Sequence, residues 1–445
     1  MKAPIRFRLA PAAIVLLWLA LPSTASAHAS FVRSDPADVC GPLAQPRVQP
    51  SDPRCQTGLV LEQSPSAVRI TFSEQVQLLG RGIRVLSPSG KPVQQGKPLA
   101  NGDQASVDVD ASELGTYVVD WQVASEDTHP ARGQFAFSVG HPSQPAAVSG
   151  ANVGQVEPLG LALQALGRWL HFAGYALAFG TLAVSLLLAR GTLVNGPGLW
   201  RMTNAGILLL LLAEPLALLG QTGSLGLDQM LDGDTLGDAL ASPFGRLLGF
   251  RIAAALLLWV VSGSASPAVE AMSTLGNSDW YEQAANHPSL NRHLAVAAAI
   301  ALGLALAIID GLGQHAASFR PEWLGLIVHA GHLIGMALWI GALAVLLWAW
   351  RQGKPLAAVT KVAVAAFALV AATGLAMALV HFPQPSDVLA TAYGQVLGGK
   401  QILLLAAGGL ALLARKRGTA RRAELGALTL LIGLAGLLVS LPPPR

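Results

Sequence analysis

The chain has 445 residues and a mass of 46.0 kDa, of which 52% are hydrophobic and only 12% charged, and its mean hydropathy is +0.50. Soluble domains carry roughly 25% charged residues, so this composition excludes a purely soluble or a disordered protein. The net charge of +4 is too small to indicate a nucleic-acid partner. The sequence therefore predicts a membrane protein that begins with a more polar segment.

The first 27 residues have the organisation of a signal peptide. Lys2, Arg6 and Arg8 precede a short apolar stretch, and Ala25-Ser26-Ala27 supplies the small residues that a signal peptidase requires. Cleavage after Ala27 would leave His28 as the first residue of an exported domain. The alternative is an uncleaved N-terminal anchor, for which the apolar stretch is short.

Residues 28–140 alternate between apolar and polar side chains, which is typical of half-buried strands. The segments around Ile70, Ile83, Val107, Tyr117 and Phe137 each follow this period of two and are separated by turn-forming residues. Short strands at this spacing predict an antiparallel β-sandwich.

The only two cysteines, Cys40 and Cys55, fall within this domain. In an exported segment they are most simply interpreted as one disulfide. A copper-binding dithiol is the alternative, although the CxxC spacing is missing.

Residues 141–158 are rich in Pro, Ser, Gly and Ala and predict a linker. Residues 159–445 then form the membrane domain, with eight segments long enough to span a bilayer. The predicted spans are 159–189, 202–221, 246–265, 292–316, 323–350, 356–381, 396–414 and 422–441. Basic residues such as Arg351, Lys354 and Arg415 concentrate in alternate loops, which places those loops in the cytoplasm and the C-terminus outside.

A metal site is predicted in the soluble domain. The free amine and the imidazole of an N-terminal His28 can chelate one ion, and nitrogen ligands of this kind favour Cu(II). Asp127 and His129, two residues apart on an extended segment, lie on one face and offer further ligands. The alternative for such a pair is an ordinary polar loop.

Several segments resemble copper proteins. The start at His28, the run Ile70-Thr-Phe-Ser-Glu74 and the stretch Ser125-Glu-Asp-Thr-His-Pro130 are similar to CopC-like periplasmic copper proteins. The second half resembles CopD through Gly313-Gln-His-Ala-Ala317, His329-x-x-His332, Trp339-x-Gly341, Thr373-Gly374 and Tyr393-Gly394 followed by Lys400. The resemblance covers nearly the whole chain after the signal peptide, as in a fused CopC–CopD protein.

This resemblance implies a Greek-key, immunoglobulin-like β-sandwich that holds Cu(II) through His28, Asp127 and His129. It also implies a membrane partner domain that moves copper toward the cytoplasm. The chain departs from the family in having no methionine between residues 28 and 201. A Met-rich Cu(I) site is therefore excluded there, and we expect a Cu(II)-only sandwich.

Ionisable residues inside membrane segments are costly and tend to mark ion pathways. Five histidines are predicted to lie on the side of the copper domain and form a candidate copper path: His171, His315, His329, His332 and His381. Isolated core histidines are the alternative. Four auxiliary residues accompany them, two carboxylates that could orient a ligand or relay a proton and two methionines that could accept Cu(I): Glu214, Asp310, Met336 and Met377.

The sequence favours a copper transporter of the bacterial inner membrane over an enzyme. Its function would be capture of Cu(II) in the periplasm and import, in copper homeostasis and resistance. The competing hypothesis is a haem- or copper-dependent membrane oxidoreductase using histidine pairs. Copper ions and the lipid bilayer are the expected partners, and the oligomeric state is left open.

Overall fold

The computed structural model describes residues 29–38, 52, 54–125, 129–145, 157–189, 197–264, 288–312, 321–351, 357–381 and 394–403. Four predicted functional residues lie outside these ranges, namely His28, Cys40, Asp127 and His315. The predicted span 422–441 and most of the span 396–414 also lie outside them.

Eight strands form two four-stranded sheets in the N-terminal part. Their bounds are β1 Phe31–Asp35, β2 Leu59–Leu61, β3 Ala67–Phe72, β4 Val76–Leu86, β5 Gln94–Asn101, β6 Gln104–Val109, β7 Gly115–Ser125 and β8 Pro130–Val139. One sheet has the order β1-β3-β6-β5 and the other β2-β8-β7-β4. A short helix, α1 (Arg54–Thr57), precedes β2. All pairs are antiparallel except β2 with β8, so the predicted sandwich is confirmed with one parallel edge.

Aromatic side chains fill the space between the two sheets. Trp121 of β7 is fully buried, and its ring stacks on Phe31 with centroids 6.2 Å apart and meets the edge of Phe72 at 5.1 Å. These residues occupy the apolar positions of the alternating segments. Because inward-facing residues of both sheets meet in this core, the domain has a hydrophobic centre of its own.

The C-terminal part is helical. Its helices are α2 Pro158–Tyr175, α3 Thr181–Ala189, α4 Pro197–Gly223, α5 Gly233–Ala241, α6 Pro243–Ser264, α7 Pro288–Leu312, α8 Glu322–Arg351, α9 Ala357–His381 and α10 (residues 394–403). A π-helical turn, Ala176–Gly180, joins α2 to α3, so that residues 158–189 form one helical run as predicted. Within the described ranges, four helices are long and apolar enough to cross a membrane: α4, α6, α8 and α9. The first six predicted spans agree with observed helices to within a few residues, and the count of eight stays a prediction.

Small residues allow α2 and α4 to pack closely. Gly160, Gly167 and Gly174 recur every seven residues along α2, and a Cβ added at Gly174 would lie 2.7 Å from the backbone nitrogen of Leu210 on α4. In return, a Cβ added at Gly220 of α4 would lie 2.5 Å from the backbone nitrogen of Gln164. Close backbone approach through small residues is the usual way in which membrane helices associate. This pair of helices forms two walls of the cavity described below.

The sandwich is docked on the helices. Strand β4 is bulged between Leu78 and Ile83, where Gly80 and Gly82 adopt positive φ angles of 58° and 59°. The bulge brings Leu79 of the sandwich into a buried cluster with Leu225, after α4, and Ala239 of α5. Helix α5 lies in the connection between α4 and α6 and forms part of this contact.

Candidate functional site

His129 immediately precedes β8 and is held from both sides by Ser125, the last residue of β7. The backbone N–H of His129 donates to Ser125 Oγ at 3.1 Å, and the same hydroxyl donates to the His129 carbonyl at 3.0 Å. The backbone N–H of Ser125 donates to that carbonyl as well. His129 is 5% exposed. The hydrogen bonds with Ser125 therefore hold it in a buried position.

The residues around the other two candidate ligands are also anchored. Ala29, which follows His28, is 2% exposed in the core of the sandwich, and Ser30 donates its N–H to Ser73 Oγ at 3.0 Å. His28 and Asp127 themselves lie outside the described residues, so the complete ligand set stays a prediction.

The structure describes one of the two cysteines of the predicted disulfide. Cys55 of α1 is disulfide-bonded. The only other cysteine of the sequence, Cys40, lies outside the described residues.

His129 faces the membrane domain. Arg168 of α2 is half-buried, and its Nη2 donates to His129 Nε2 at 3.4 Å. Two further arginines hold this side of the sandwich on the helices. Arg132 donates to the carbonyl of Leu225 and lies 3.6 Å from Glu157, and Arg81 forms an ion pair with Asp228.

A cavity of about 30 Å³ lies directly beyond Arg168. It is enclosed by α2, α4 and α6, with one residue from α7. Its polar and charged lining residues are Gln164, Arg168, His171, Glu214, Gln221, Arg251 and Asp310. The volume suits one water molecule or one ion, and the donors in the lining are nitrogen and oxygen atoms without any sulfur.

Four ionisable residues from four different helices meet at this cavity and are called the charge cluster: His171, Glu214, Arg251 and Asp310. His171 Nδ1 lies 2.8 Å from Glu214 Oε1, and His171 Nε2 lies 2.8 Å from Asp310 Oδ2. Arg251 Nε lies 2.7 Å from Asp310 Oδ1, and its Nη1 lies 3.9 Å from Glu214 Oε2. The side chains of His171 and both carboxylates are at most 6% exposed.

The charge cluster is balanced as it stands. With both carboxylates ionised, both ring nitrogens of His171 must carry hydrogens, because each one donates to a carboxylate. The imidazolium and Arg251 then offset the two negative charges, which is the condition for burying them. Glu214 lines the cavity, and its Oε2 is buried without a hydrogen-bond partner.

His171, Glu214 and Asp310 were predicted as separate members of a copper path, and the structure brings them into direct contact. In this arrangement His171 offers no lone pair to a metal. Among the described residues, no three His, Cys, Asp or Glu side chains already surround a point at which a metal ion could be held. A copper-binding role for His171 therefore stays a prediction that requires the cluster to rearrange.

The histidines of α8 lie apart from the charge cluster. His332 Nδ1 is 2.9 Å from Thr373 Oγ1 of α9, whereas His329 Nδ1 donates to the carbonyl of Gly325 at 2.8 Å. His329 packs toward Gly311 of α7. The two histidines are three residues apart on α8 and have different hydrogen-bond partners. Met336 packs among apolar residues of the bundle, and His381 ends α9.

Two arginines at the cavity were missed as functional residues. Arg168 lies three residues before His171 and therefore on the same face of α2, and Arg251 lies within the predicted span 246–265. The structure places Arg251 eight residues inside α6, against both carboxylates. The available signal was the rarity of an arginine inside an apolar segment that must find a carboxylate partner.

Three family profiles match successive parts of the chain. The profile of the CopC domain matches residues 50–140, that of the copper resistance protein D-like N-terminal domain matches 159–277, and that of copper resistance protein D matches 356–439. The chain is a fused CopC–CopD protein. The middle match contains α2, α4, α5 and α6, and thus most of the cavity of the CopC–CopD protein.

Individual relatives match about a fifth to a quarter of the chain. Protein YobA of Escherichia coli K12 is 34% identical over 80 residues, which are 17% of this chain and 64% of YobA. Copper resistance protein C of Escherichia coli is 24% identical over 107 residues, 22% of this chain and 82% of that protein. The crystal structure of CopC from Methylosinus trichosporium OB3b is 22% identical, covers 27% of this chain and 98% of its own, and has a TM-score of 0.19.

Proposed function

We propose that this protein captures Cu(II) outside the membrane at His28, Asp127 and His129 and passes it through the helical domain toward the cytoplasm, in copper homeostasis and resistance. The joined CopC and copper resistance protein D domains support this function. A sandwich that captures copper and a membrane domain that moves it have complementary tasks, and fusion keeps them together.

The observation that carries the proposal is the position of His129. This candidate ligand is buried on the docked side of the sandwich, 3.4 Å from an arginine that lines a polar cavity of the membrane domain. A storage or scavenging protein has no need to place its metal ligand at such an interface. A transporter benefits from a ligand at this interface, because the ion then moves a short distance from the sandwich to the cavity without returning to solvent.

The chemistry of the residues along the route supports Cu(II) at its start. Imidazole and carboxylate donors suit Cu(II), whereas Cu(I) prefers thiolate and thioether ligands. The charge cluster follows the sandwich, and we place His329, His332 and His381 beyond it, with His315 between α7 and α8. Met336 and Met377 are the residues at which Cu(I) could be accepted deeper in the membrane.

The finer structural expectations belong to the same proposal. They comprise a signal peptide at 1–27, the sandwich at 28–140 with Greek-key connections, a linker at 141–158 and a membrane domain at 159–445 with eight spans. The inner membrane is the proposed location, with the sandwich and the C-terminus on the periplasmic side.

The test uses the full-length protein in liposomes, with the sandwich on the outside. Cu(II) is supplied to the sandwich from the outer solution. We expect a tetragonal Cu(II) signal in electron paramagnetic resonance and copper accumulation inside the vesicles. Both should be lost in His28→Ala and His129→Ala. The matched control is His141→Ala, because His141 is an exposed histidine just after β8. Copper binding and accumulation that persist in both ligand variants would contradict the proposal.

A further inference from the structure

Arg168 lies between the candidate copper ligand and the cavity. Its guanidinium contacts His129 Nε2 on one side, and its side chain is part of the cavity wall on the other. One turn deeper on the same helix lies His171, the centre of the charge cluster. The path from the sandwich to Glu214 and Asp310 therefore passes Arg168.

The charges around the cavity oppose the entrance of a cation. Arg168, Arg251 and the imidazolium of His171 contribute three positive charges, and Glu214 and Asp310 contribute two negative ones. The remaining polar side chains of the lining, Gln164 and Gln221, are uncharged. Among the described residues that line the cavity, the charges thus sum to one net positive charge in the copper-free protein. A fixed arginine at a constriction is an established way of excluding protons and cations from a membrane pathway.

A Cu(II) ion at His129 changes this balance. The ion places two positive charges beside the guanidinium of Arg168, which in the copper-free protein donates a hydrogen bond to the same imidazole. When Nε2 ligates the ion, the lone pair that accepts this hydrogen bond is no longer available. Arg168 then loses an attraction and gains a repulsion. The side chain is half-buried and long, so it can move without unfolding α2.

We propose that Arg168 is a cation gate at the mouth of the cavity, which Cu(II) bound at His129 displaces by charge repulsion so that the ion can pass to Glu214 Oε2. Cations that do not occupy the His129 site meet a closed gate, because an ion at His129 lies next to the guanidinium of Arg168 and can displace it. The gate deepens the proposed function and rests on it, since it requires His129 to be a copper ligand.

The experiment compares Arg168→Gln, Arg168→Lys and Arg81→Gln in the full-length protein in liposomes. Arg81 is a matched control because it also joins the sandwich to the helices, through Asp228, but does not line the cavity. The two readouts are the affinity for Cu(II), from competition with a chelator, and the leak of protons through copper-free vesicles under a pH gradient.

We expect Arg168→Gln to raise the Cu(II) affinity by about tenfold, the repulsion of a doubly charged ion at roughly 6 Å in a water-like dielectric. The same variant should raise the copper-free proton leak severalfold. Arg168→Lys keeps the charge and should behave as the wild type in both readouts, as should Arg81→Gln. If Arg168→Gln does not fold, Arg168→Met removes the same charge and provides the same comparison.

Wild-type affinity and wild-type leak in the charge-removing variant would overturn the gate, and so would an equal effect of Arg81→Gln, since docking would then be the cause. The proposed function fails separately, through a wild-type protein that neither binds nor accumulates Cu(II). A protein that transports copper while Arg168→Gln changes nothing retains the function and loses only the gate.

Discussion

The charge cluster shows how single residues gain their roles from partners that are distant in sequence. His171 and Asp310 are 139 residues apart, yet their side chains lie 2.8 Å from each other. Each was recognisable alone as an ionisable residue in an apolar segment. Their contact with each other and with Arg251 depends on the packing of four helices. The sequence pattern of a single segment does not contain this information.

Removal of one charge from this cluster should be strongly destabilising. Asp310→Asn leaves Arg251 and the imidazolium of His171 without half of their compensation, and breaking a buried pair in this way costs about 3–5 kcal/mol. The double variant Asp310→Asn/Arg251→Gln should be less destabilised than the sum of the single variants, because it removes both partners of the 2.7 Å ion pair.

Unfolding is measured as the loss of the helical circular dichroism signal while the mixed micelles are titrated with a denaturing detergent. Glu214→Gln is the comparison within the cluster. Its Oε2 has no hydrogen-bond partner and is 3.9 Å from Arg251, so its loss should cost less than that of Asp310. Additive effects of Asp310→Asn and Arg251→Gln would show that the pair is not coupled.

At the scale of elements, the contact between the domains is made by features that interrupt regular structure. Strand β4 reaches the helices at its bulge, and the helices reach the strand through α5, a nine-residue helix between α4 and α6. Bulges commonly turn a strand toward a functional contact. The alternating pattern around Ile83 predicts β4, but this pattern does not contain the position of the helices that β4 contacts.

The N-cap of α5 gives this element a dependence on pH. Asp232 accepts the backbone N–H of Thr235 at 2.9 Å and its hydroxyl at 2.8 Å. The backbone hydrogen bond, which is stronger to the ionised carboxylate than to the neutral acid, holds the pKa of Asp232 below its ordinary value of 3.8. A lowered pKa in the folded state means that the stabilisation is present above pH 3.8 and is lost as the pH falls through the folded-state pKa.

We therefore expect the amides of α5 to be protected from hydrogen exchange at neutral pH and to lose protection below about pH 3.8. Asp232→Ala should lose this protection at every pH, because the cap is absent. Asp232→Asn retains a capping oxygen that does not titrate, so its protection should not fall with pH. A wild-type protein that follows the asparagine variant in acid would exclude the carboxylate as the cause.

At the scale of the whole molecule, docking decides whether captured copper has a route. The contact combines a buried apolar cluster of Leu79, Ala124, Leu225 and Ala239 with the Arg81–Asp228 and Arg132–Glu157 ion pairs. Exposed ion pairs contribute little to stability, and Arg81 and Asp228 are 44% and 62% exposed. The apolar cluster is thus the main source of docking energy.

Leu225→Asp should undock the sandwich, because it buries a carboxylate in this cluster, where Leu225 is 1% exposed. We expect a broadened distribution of distances between one spin label on the sandwich and one on the helices. Copper accumulation should fall, while Cu(II) binding to the sandwich persists. Leu231→Asp is the matched control, since Leu231 is 71% exposed in the same connection. Undiminished accumulation in an undocked variant would contradict direct transfer.

The sequence by itself determined the two domains, their fold classes and the residues able to carry charge or bind copper. The strands follow from side-chain alternation and the helices from long apolar runs, and both signals are local because each arises from the periodicity of one element. The candidate residues were likewise recognisable from the sequence of their own segments, namely His129, His171, Glu214 and Asp310.

Only the tertiary structure decided which candidates act together. It placed His129 against Arg168, joined His171 to two carboxylates, and gave His329 and His332 different hydrogen-bond partners. The reason is physical: a buried charge is tolerated wherever a partner compensates it, and that partner is supplied by the packing of helices and by docking of the sandwich. Such contacts join residues far apart in the chain, so no spacing within one segment contains them.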